Sequence, residues 1–378
     1  MLELNRGYFL THLYLALSCL ETGNHDKAIQ AIEAQNEFGG VIKGETMSHR
    51  CLMLVVLGIL LTGCSSNQKP AGSHDPHVTP AGVRIAPDVV YGHKFGMALT
   101  FDMYQPQKQN GAAVINIDSG GWRSGFPNFY KQTADGLRLA TEKDRMQIMP
   151  PDIKAIMPKD LEVPAKSDIE PYLDKGFTIF HVHHGSSPKY EMPEIVADLR
   201  RAVRFIRFHA RDYGIDAERL GLIGGSAGGH LSLLLGTTPD IGNRDVTDEF
   251  ERGTGRVAAV VALFPPSDLR RFIEFHKKTS PDILKRVPAL ALTPEQCKEF
   301  SPISFVSSDD PSTLIIHGDQ DKAVPILEGE SMYQALLKAG VNTKFVTIPG
   351  AGHGFFGKDA DRAREEAISW FEERLGAK

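Results

Sequence analysis

A serine inside a cluster of glycines is the first residue of this chain whose surroundings point to covalent chemistry. Ser226 lies in the heptapeptide GGSAGGH of residues 224–230, which contains the pattern G-x-S-x-G. The β-rich run RLGLIG precedes the serine and the helix-compatible run AGGHLSLLLG follows it. At such a strand-turn-helix corner the serine occupies strained backbone with its hydroxyl exposed, and small neighbours prevent clashes. The pattern therefore predicts a nucleophile at residue 226.

Glycine-rich corners also bind phosphate, and the sequence disfavours that alternative. The corner lacks the lysine of a phosphate-binding loop, and no G-x-G-x-x-G follows the first strand-like run. A helix that begins at Ala227 would direct its free amides toward an anion beside Ser226. These features favour a reaction in which negative charge develops next to the serine.

The partners that such a serine needs are present in later loops. A serine hydroxyl is a weak nucleophile until a base accepts its proton and a carboxylate orients that base. Asp319 and Asp321 follow the buried run STLIIHG, and His353 lies between glycines after the last strand-like run, TKFVTIP. The three residues thus follow three separate strand-like runs, in the order Ser, Asp, His. We therefore expect a catalytic triad of Ser226, an aspartate and His353.

The same chemistry requires an oxyanion hole, which is a pair of backbone amides placed where negative charge develops. Each such donor stabilises the transition state by ~3 kcal/mol. One donor is expected to be the amide of Ala227, directly after the nucleophile. The other is expected from Gly120 and Gly121 in the loop DSGGWRSG, because residues without side chains let their amides approach a substrate closely.

Short apolar runs typical of buried strands alternate with helical patterns from about residue 84 onward. The runs cover residues 84–92, 98–106, 112–118, 177–182, 219–224, 257–264, 312–318 and 343–349. This alternation predicts an α/β fold with a mostly parallel eight-stranded sheet and helices on both faces. Insertions near 141–168 and 265–310 interrupt the alternation and are expected to form lids or rims of a binding site.

Four segments of the chain resemble a known family. They are GGW (120–122), YGIDAERLGLIGGSAGGHLS (213–232), SPISFVSSDDPSTLIIHGDQDKAVP (301–325) and PGAGHGF (349–355). From about residue 83 to residue 356 the chain is similar to carboxylesterases of the α/β-hydrolase fold, in the branch of bacterial feruloyl-esterase-like and hormone-sensitive-lipase-like enzymes. The resemblance implies that Asp321, the second aspartate of the HG-x-x-D loop, is the acid, with Asp319 as the alternative.

The resemblance implies a serine esterase that cleaves carboxylic esters through an acyl-enzyme, with acyl groups on carbohydrates as one substrate class. It implies no cofactor. Two alternatives stay open: a serine exopeptidase of the same fold, which usually has a large extra domain, and a binding protein that retains the pocket without catalysis.

Two features depart from the family pattern. Relatives usually have His-Gly-Gly-Gly-Trp where this chain has Asp118 and Ser119 before GGW, and a carboxylate directed into the oxyanion hole would weaken it. Relatives commonly have a Tyr-Arg pair where this chain has HVHHGSSPKY. Alternate residues of a strand share a face, so His181, His183 and His184 raise the question of a metal site. Without a matching carboxylate or cysteine cluster, we interpret them as structural or pocket-lining and predict no metal.

Composition and charge argue against a nucleic-acid-binding function. The 378 residues carry a net charge of -5, and no lysine/arginine run or interleaved aromatic stripe predicts a nucleic-acid interface. The chain is 42% hydrophobic and 24% charged, as is usual for a globular protein with a large core.

The N-terminal part contains a pattern typical of a secreted lipoprotein. A basic start, the apolar run 52–61 and the tetrapeptide LTGC at 61–64 resemble a bacterial lipoprotein signal over residues 47–63. We expect lipidation at Cys64, membrane attachment through that lipid, a flexible tether over 64–82, and a location on the bacterial cell envelope facing the periplasm or exterior.

The remaining parts of the chain follow from this interpretation. We interpret residues 1–46 as a product of a start site placed too far upstream, and the alternative is a single helical hairpin of the tetratricopeptide type, which cannot bury its own apolar face. Residues 83–378 are expected to form the α/β-hydrolase domain. Of the four cysteines, two would be removed with the N-terminal segments and one would be lipidated. Only Cys297 would then remain free, so no disulfide is expected.

Overall fold

The computed structural model describes residues 77–125, 128–134, 136–148, 166–238, 240–243 and 245–376. The expectations for residues 1–46, for the signal 47–63, for lipidation at Cys64 and for most of the tether lie outside the described residues. Residues 149–165 of the first expected insertion lie outside them as well. Within the described part, no helix has the length and apolar character that crossing a membrane would require.

The described residues form a sheet of nine strands and a separate two-stranded hairpin. In chain order the strands are β1 (His77–Val78), β2 (Arg84–Lys94), β3 (Met97–Gln105), β4 (Ala113–Ile117), β5 (Tyr130–Thr133), β6 (Gly136–Leu139), β7 (Thr178–Val182), β8 (Leu220–Gly225), β9 (Ala259–Leu263), β10 (Ser312–Gly318) and β11 (Thr343–Ile348). The spatial order of the large sheet is β1-β2-β3-β7-β4-β8-β9-β10-β11, and β5 pairs with β6.

The strands that precede the candidate catalytic loops all run in the same direction. Strands β7, β4, β8, β9, β10 and β11 pair in parallel, whereas β1, β2 and β3 are antiparallel to their neighbours. Parallel strands end at a common edge, so the loops that follow them meet there. This edge brings together residues that are far apart in the sequence.

Helices cover both faces of the sheet. They are α1 (Glu142–Ile148), α2 (Glu170–Asp174), α3 (Met192–Phe208), α4 (Ala227–Thr237), α5 (Leu269–Thr279), α6 (Pro281–Arg286), α7 (Pro294–Glu299), α8 (Ile326–Lys338) and α9 (Lys358–Leu375). One core cluster joins the sheet to α3, α4, α5 and α8, and a second joins its other face to α2 and α9. Strands β7 and β10 are buried almost throughout, as expected for a sheet covered on both sides.

The predicted α/β-hydrolase fold is confirmed, with one extra strand in the large sheet and one separate hairpin. All eight predicted runs are strands of the large sheet, and the ninth, β1, is a two-residue strand that pairs with the start of β2. The hairpin of β5 and β6 is also new, and its first strand, YKQT, has no apolar alternation that could have revealed it. The expected insertion over 265–310 folds into α5, α6, α7 and short 3-10 turns.

Two glycines allow α4 to start in contact with the strands beneath it. A Cβ on Gly224 would lie 2.5 Å from the carbonyl carbon of Gly228, and a Cβ on Gly228 would lie 2.6 Å from the carbonyl oxygen of Ile117. Both obstacles are backbone atoms, which a rotamer change cannot move. The glycines on either side of the serine are therefore required by the packing of α4 against β8 and β4.

Replacing Gly228 with alanine is expected to lower the free energy of unfolding by about 1–3 kcal/mol or more, because the new methyl group would overlap the Ile117 carbonyl. Gly253→Ala is the matched control, since that glycine has a φ of -77° and its added Cβ would make an ordinary 3.4 Å contact. Urea unfolding monitored by circular dichroism measures both changes. Equal stability of the two variants would contradict this explanation of the corner.

Candidate active site

Ser226 occupies the corner between β8 and α4 in a backbone conformation that is unusual for a residue with a side chain. Its φ is 54° and its ψ is -119°. The Ser226 amide donates a hydrogen bond to the Leu263 carbonyl at the end of β9, at 2.9 Å. This bond and the close glycine packing hold the strained residue in place, with its side chain only half-buried.

The structure brings the three predicted side chains of the triad together. Nε2 of His353 lies 2.9 Å from Oγ of Ser226, and Nδ1 of His353 lies 2.8 Å from Oδ2 of Asp321. An ionised carboxylate only accepts hydrogen bonds, so Nδ1 carries the proton and Nε2 accepts from the serine hydroxyl. This arrangement lets His353 remove the proton of Ser226 while Asp321 holds the imidazole in the required tautomer.

The carboxylate of Asp321 is held in its charged form. Its Oδ1 accepts hydrogen bonds from the amides of Ala323 at 2.9 Å and Val324 at 2.8 Å. Burial alone would raise the pKa of Asp321, but its interactions with His317 and His353 hold that pKa well below its usual range. Asp321 is therefore ionised at neutral pH and can stabilise an imidazolium at His353.

Asp319, the alternative acid, has a different task in the structure. Its side chain is exposed, and its Oδ1 accepts the amide of Gly350 at 2.8 Å. This bond ties the loop after β10 to the turn after β11. The geometry thus selects Asp321 of the two aspartates.

One of the predicted oxyanion donors needs correction. The amide of Gly120 donates to the Arg123 carbonyl at 2.9 Å, within a tight turn that pairs these two residues. A donor already engaged in this way does not serve a substrate oxygen. Across the described chain, the amides of Gly121 and Ala227 have no acceptor. Gly121 lines the cleft, and Ala227 directly follows Ser226, which also lines it. The structure therefore favours Gly121 over Gly120 as the partner of Ala227.

The loop over residues 118–125, which we term the oxyanion loop, is fastened to α4. The amide of Gly228 donates to the Ser119 carbonyl at 3.0 Å, and the indole Nε1 of Trp122 donates to Nδ1 of His230 at 3.1 Å. Nε2 of His230 donates in turn to the Phe300 carbonyl at 2.7 Å. Burial lowers the pKa of His230 to about 4, so the ring is neutral and can accept the indole proton.

The carboxylate of Asp118 is directed into a hydrogen-bond network. Its Oδ2 accepts the amide of Gly125 at 2.7 Å, Oγ of Ser124 at 3.1 Å and Nδ1 of His183 at 3.0 Å. Burial would raise the pKa of Asp118, but the hydrogen bond and charge of His183 lower it to about 2. The negative charge that the sequence placed beside the oxyanion hole is thus compensated locally.

The three histidines after β7 have separate hydrogen-bonding roles. Nδ1 of His181 accepts from Nδ2 of Asn116 at 2.8 Å, and Nδ1 of His184 donates to the Gly185 carbonyl at 2.8 Å. Ligand atoms of Asp118, His181 and His183 lie within 4.8 Å of one another, a spacing that a metal ion could use. Nδ1 of His183 and Oδ2 of Asp118 bond to each other, whereas Nε2 of His181 is buried without a hydrogen-bond partner among the described residues. The absence of a metal stays a prediction.

The triad opens into a cleft of about 620 Å³. Its apolar lining comes mostly from the insertion over 265–310 and includes Phe272, Ile283, Val287, Leu290 and Val324. Its polar lining includes Asn116, Asp118, Arg123, Arg145 and His181. Residues of the insertion over 265–310 thus line the cleft, and Arg145 is the lining residue from the described part of 141–168.

Comparison with known proteins finds similarity to hydrolase families and to esterases. Residues 159–336 match the family described as BD-FAE, and residues 301–374 match the dienelactone hydrolase family. Esterase LipQ of Mycobacterium tuberculosis is 28% identical over 204 residues, which cover 53% of this chain and 48% of the relative. The chain therefore spans about half the length of that relative.

Two solved structures extend the similarity over most of the described domain. A truncated carbohydrate esterase from gut microbiota is 25% identical with a TM-score of 0.54, covering 82% of this chain and 100% of that one. Thermogutta terrifontis esterase 2, phosphorylated by paraoxon, is 22% identical with a TM-score of 0.54, covering 77% of this chain and 95% of that one. The latter similarity concerns the fold alone.

The position of the half-buried His183 between two carboxylates predicts a pH dependence of stability. Burial lowers its pKa, but the carboxylates of Asp102 and Asp118 together raise it from 6.5 to about 9. Because the pKa is raised in the folded state, its contribution to stability is complete below pH 6.5 and is lost as the pH rises through about 9. That contribution is at most about 3 kcal/mol.

We expect His183→Gln to lack this loss of stability at alkaline pH. The difference in unfolding free energy between wild type and variant should therefore be smaller at about pH 9.5 than at about pH 6. Denaturant unfolding at the two pH values measures it. His209→Gln serves as the control, because His209 pairs with the exposed Asp212 at the surface. A difference between wild type and His183→Gln that does not change with pH would refute the assignment.

Proposed function

We propose that this protein is a serine carboxylesterase that cleaves carboxylic esters through an acyl-enzyme. The observation that carries the proposal is the continuous path from Oγ of Ser226 through His353 to Asp321, with bonds of 2.9 and 2.8 Å. The path ends in a cleft whose wall presents backbone amides without acceptors in the described chain. The similarity to esterases supports the same chemistry.

In the first step, Oγ of Ser226 attacks the ester carbonyl carbon and its proton passes to Nε2 of His353. The carbonyl oxygen becomes an oxyanion that accepts hydrogen bonds from the amides of Gly121 and Ala227. Asp321 stabilises the imidazolium without taking its proton. The carbon–oxygen bond to the alcohol then breaks, His353 donates its proton to the leaving alkoxide, and the acyl group stays on Ser226.

In the second step, a water molecule occupies the position of the departed alcohol. His353 accepts a proton from the water as its oxygen attacks the acyl carbon, and the oxyanion again forms against the same two amides. The bond to Oγ of Ser226 breaks and the serine recovers its proton from His353. The products are an alcohol and a carboxylic acid, and the enzyme returns to its starting state without a cofactor.

The mixed lining of the cleft suits an ester with one apolar and one polar part. The apolar residues Phe272, Ile283 and Val287 favour the hydrocarbon portion of an acyl group. The polar residues Asn116, Arg123 and His181 favour a hydroxyl-rich alcohol. We therefore propose acyl groups on carbohydrates as the substrate class, and the similarity to a carbohydrate esterase supports this choice.

The proposed location follows from the sequence alone. The LTGC tetrapeptide ending at Cys64 and the apolar run before it are typical of a bacterial lipoprotein signal. We propose that lipid on Cys64 attaches the enzyme to the cell envelope, facing the periplasm or exterior, with the following polar segment as a tether. Metabolic labelling with an alkyne fatty acid, compared between wild type and Cys64→Ser, tests this part separately.

Asp321→Asn is expected to lower kcat for p-nitrophenyl acetate by about 10⁴-fold, because His353 would lose the acceptor that fixes its tautomer. Asp319→Asn is the matched control and should retain wild-type kcat, since its side chain lies at the surface of a turn. A fluorophosphonate probe should label wild type at Ser226 and leave Ser226→Ala unlabelled. An unlabelled wild type would favour the binding-protein alternative, and turnover of aminoacyl amides in place of esters would favour a peptidase.

Acetylated xylan and feruloylated oligosaccharides test the substrate class. We expect wild type to release acetate or ferulate from at least one of them, as measured by chromatography, and Ser226→Ala to release none. Cleavage of p-nitrophenyl acetate without cleavage of any carbohydrate ester would retain the esterase and reject the proposed class.

A further inference from the structure

The oxyanion loop includes residues in an unfavourable backbone conformation, so contacts with other segments are needed to hold it in place. Gly121 and Trp122 have φ values of 57° and 58°, in the left-handed region that a tryptophan rarely adopts. The position of the Gly121 amide depends on these two residues. The contacts with α4, through Ser119 and Trp122, support one side of the loop. Different residues support its other side.

Asp118 lies at the start of the oxyanion loop, and one oxygen of its carboxylate accepts hydrogen bonds from the end of the loop. It is 4% exposed and directly follows β4, whereas Ser124 and Gly125 lie at the far end of the loop. The amide of Gly125 and the hydroxyl of Ser124 both donate to its Oδ2, at 2.7 and 3.1 Å. The carboxylate therefore closes the loop at its base, and charge-assisted bonds of this kind are about twice as strong as neutral ones.

His183 connects this closure to the sheet. Its Nδ1 lies 3.0 Å from Oδ2 of Asp118, and its Nε2 lies 3.7 Å from Oδ2 of Asp102 in β3. The backbone of His183 is fixed as well, because its amide donates to the Thr100 carbonyl at 3.0 Å and its carbonyl accepts from the Tyr91 hydroxyl at 2.6 Å. Asp102 is 0% exposed and accepts the amide of Asp88.

The segment after His183 adds further bonds to the oxyanion loop. Oγ of Ser186 accepts the amide of Ser124 at 2.9 Å and donates to the Ser124 carbonyl at 3.2 Å. The amide of Ser187 donates to the Trp122 carbonyl at 3.1 Å. Residues of the HVHHGSSPKY stretch thus support one side of the oxyanion loop. Asp118 connects this stretch to the loop through its Oδ2 atom.

We propose that Asp118, held by His183 and Asp102, is a positioning residue that sets the oxyanion hole by fixing the loop that carries the Gly121 amide. This inference rests on the proposed esterase function. Asp118 does not touch substrate in this role; it acts through the loop. The buried charges are arranged as one imidazolium between two carboxylates, so the charge of Asp118 is compensated before an oxyanion forms nearby.

Asp118→Asn is the primary test. The amide is nearly isosteric but neutral, so it weakens the bonds from Gly125, Ser124 and His183 together. A loop that shifts by a fraction of an ångström misplaces a transition-state donor, and we expect kcat for p-nitrophenyl acetate to fall about 10- to 100-fold while KM stays within about twofold. The rate of phosphylation by paraoxon should fall in parallel, because that reaction uses the same hole.

Glu328→Gln is the matched control. Glu328 is 2% exposed and its Oε2 accepts the amides of Ser267 and Asp268, both at 2.9 Å, so the change neutralises a similar buried carboxylate away from the oxyanion loop. We expect it to lower the melting temperature at least as much as Asp118→Asn without lowering kcat. A kcat loss in both variants that tracks melting temperature would overturn the proposal and leave a purely structural role.

Ser124→Ala provides a second test in case Asp118→Asn does not fold. It removes one hydroxyl donor to Asp118 and leaves the buried charges in place, and we expect a three- to tenfold fall in kcat, the value of about one hydrogen bond. Unchanged kcat in Asp118→Asn or in a folded Ser124→Ala would overturn the inference. Loss of wild-type activity in EDTA would also overturn it, because the cluster would then hold a metal ion.

These outcomes separate the inference from the function on which it rests. If wild type neither hydrolyses esters nor reacts with paraoxon, the esterase proposal fails first. If wild type is active and its variants at positions 118 and 124 are equally active, the esterase proposal stands and only the positioning role of Asp118 is refuted.

Discussion

The left-handed backbone of Ser226 is the constraint on which the rest of the site depends. A β-strand and a helix that join in one residue leave no room for side chains beside that residue, which explains the glycines at 224 and 228. The strained conformation persists because the Leu263 carbonyl holds the Ser226 amide and because α4 is packed into the core along almost its whole length. In return, the hydroxyl projects from the sheet edge toward His353, and the first amide of α4 lies beside it.

The parts of the structure that depend on strong local patterns could be predicted from the sequence. The eight strand runs are short and apolar, and their parallel arrangement placed the loops after β8, β10 and β11 at one edge. Ser226, Asp321 and His353 could therefore be selected before their distances were known. The choice between Asp319 and Asp321 needed the resemblance to a family, because both aspartates follow β10 within three residues of its end.

The parts that could not be predicted depend on contacts between distant segments. The Gly120 amide is lost to a turn with Arg123, and nothing in GGW distinguishes it from the amide of Gly121. From the sequence, the carboxylate of Asp118 was a residue that could weaken the oxyanion hole. Its partner, His183, lies 65 residues later in the chain, so the pairing could not be predicted. The three histidines were recognised as unusual from the sequence, but the pairing of His183 with Asp102 requires the antiparallel contact between β3 and β7. The polar strand β5 had no periodic signal at all.

The proposed mechanism requires that the amides of Gly121 and Ala227 bind an oxyanion beside Ser226. A crystal structure of this protein phosphylated by paraoxon tests this directly, since the phosphoryl oxygen takes the place of the oxyanion. We expect phosphorus on Oγ of Ser226 and a phosphoryl oxygen about 2.7–3.1 Å from both of those amides. A phosphoryl oxygen bound by the Gly120 amide, or directed away from the oxyanion loop, would show that these two amides do not form the hole.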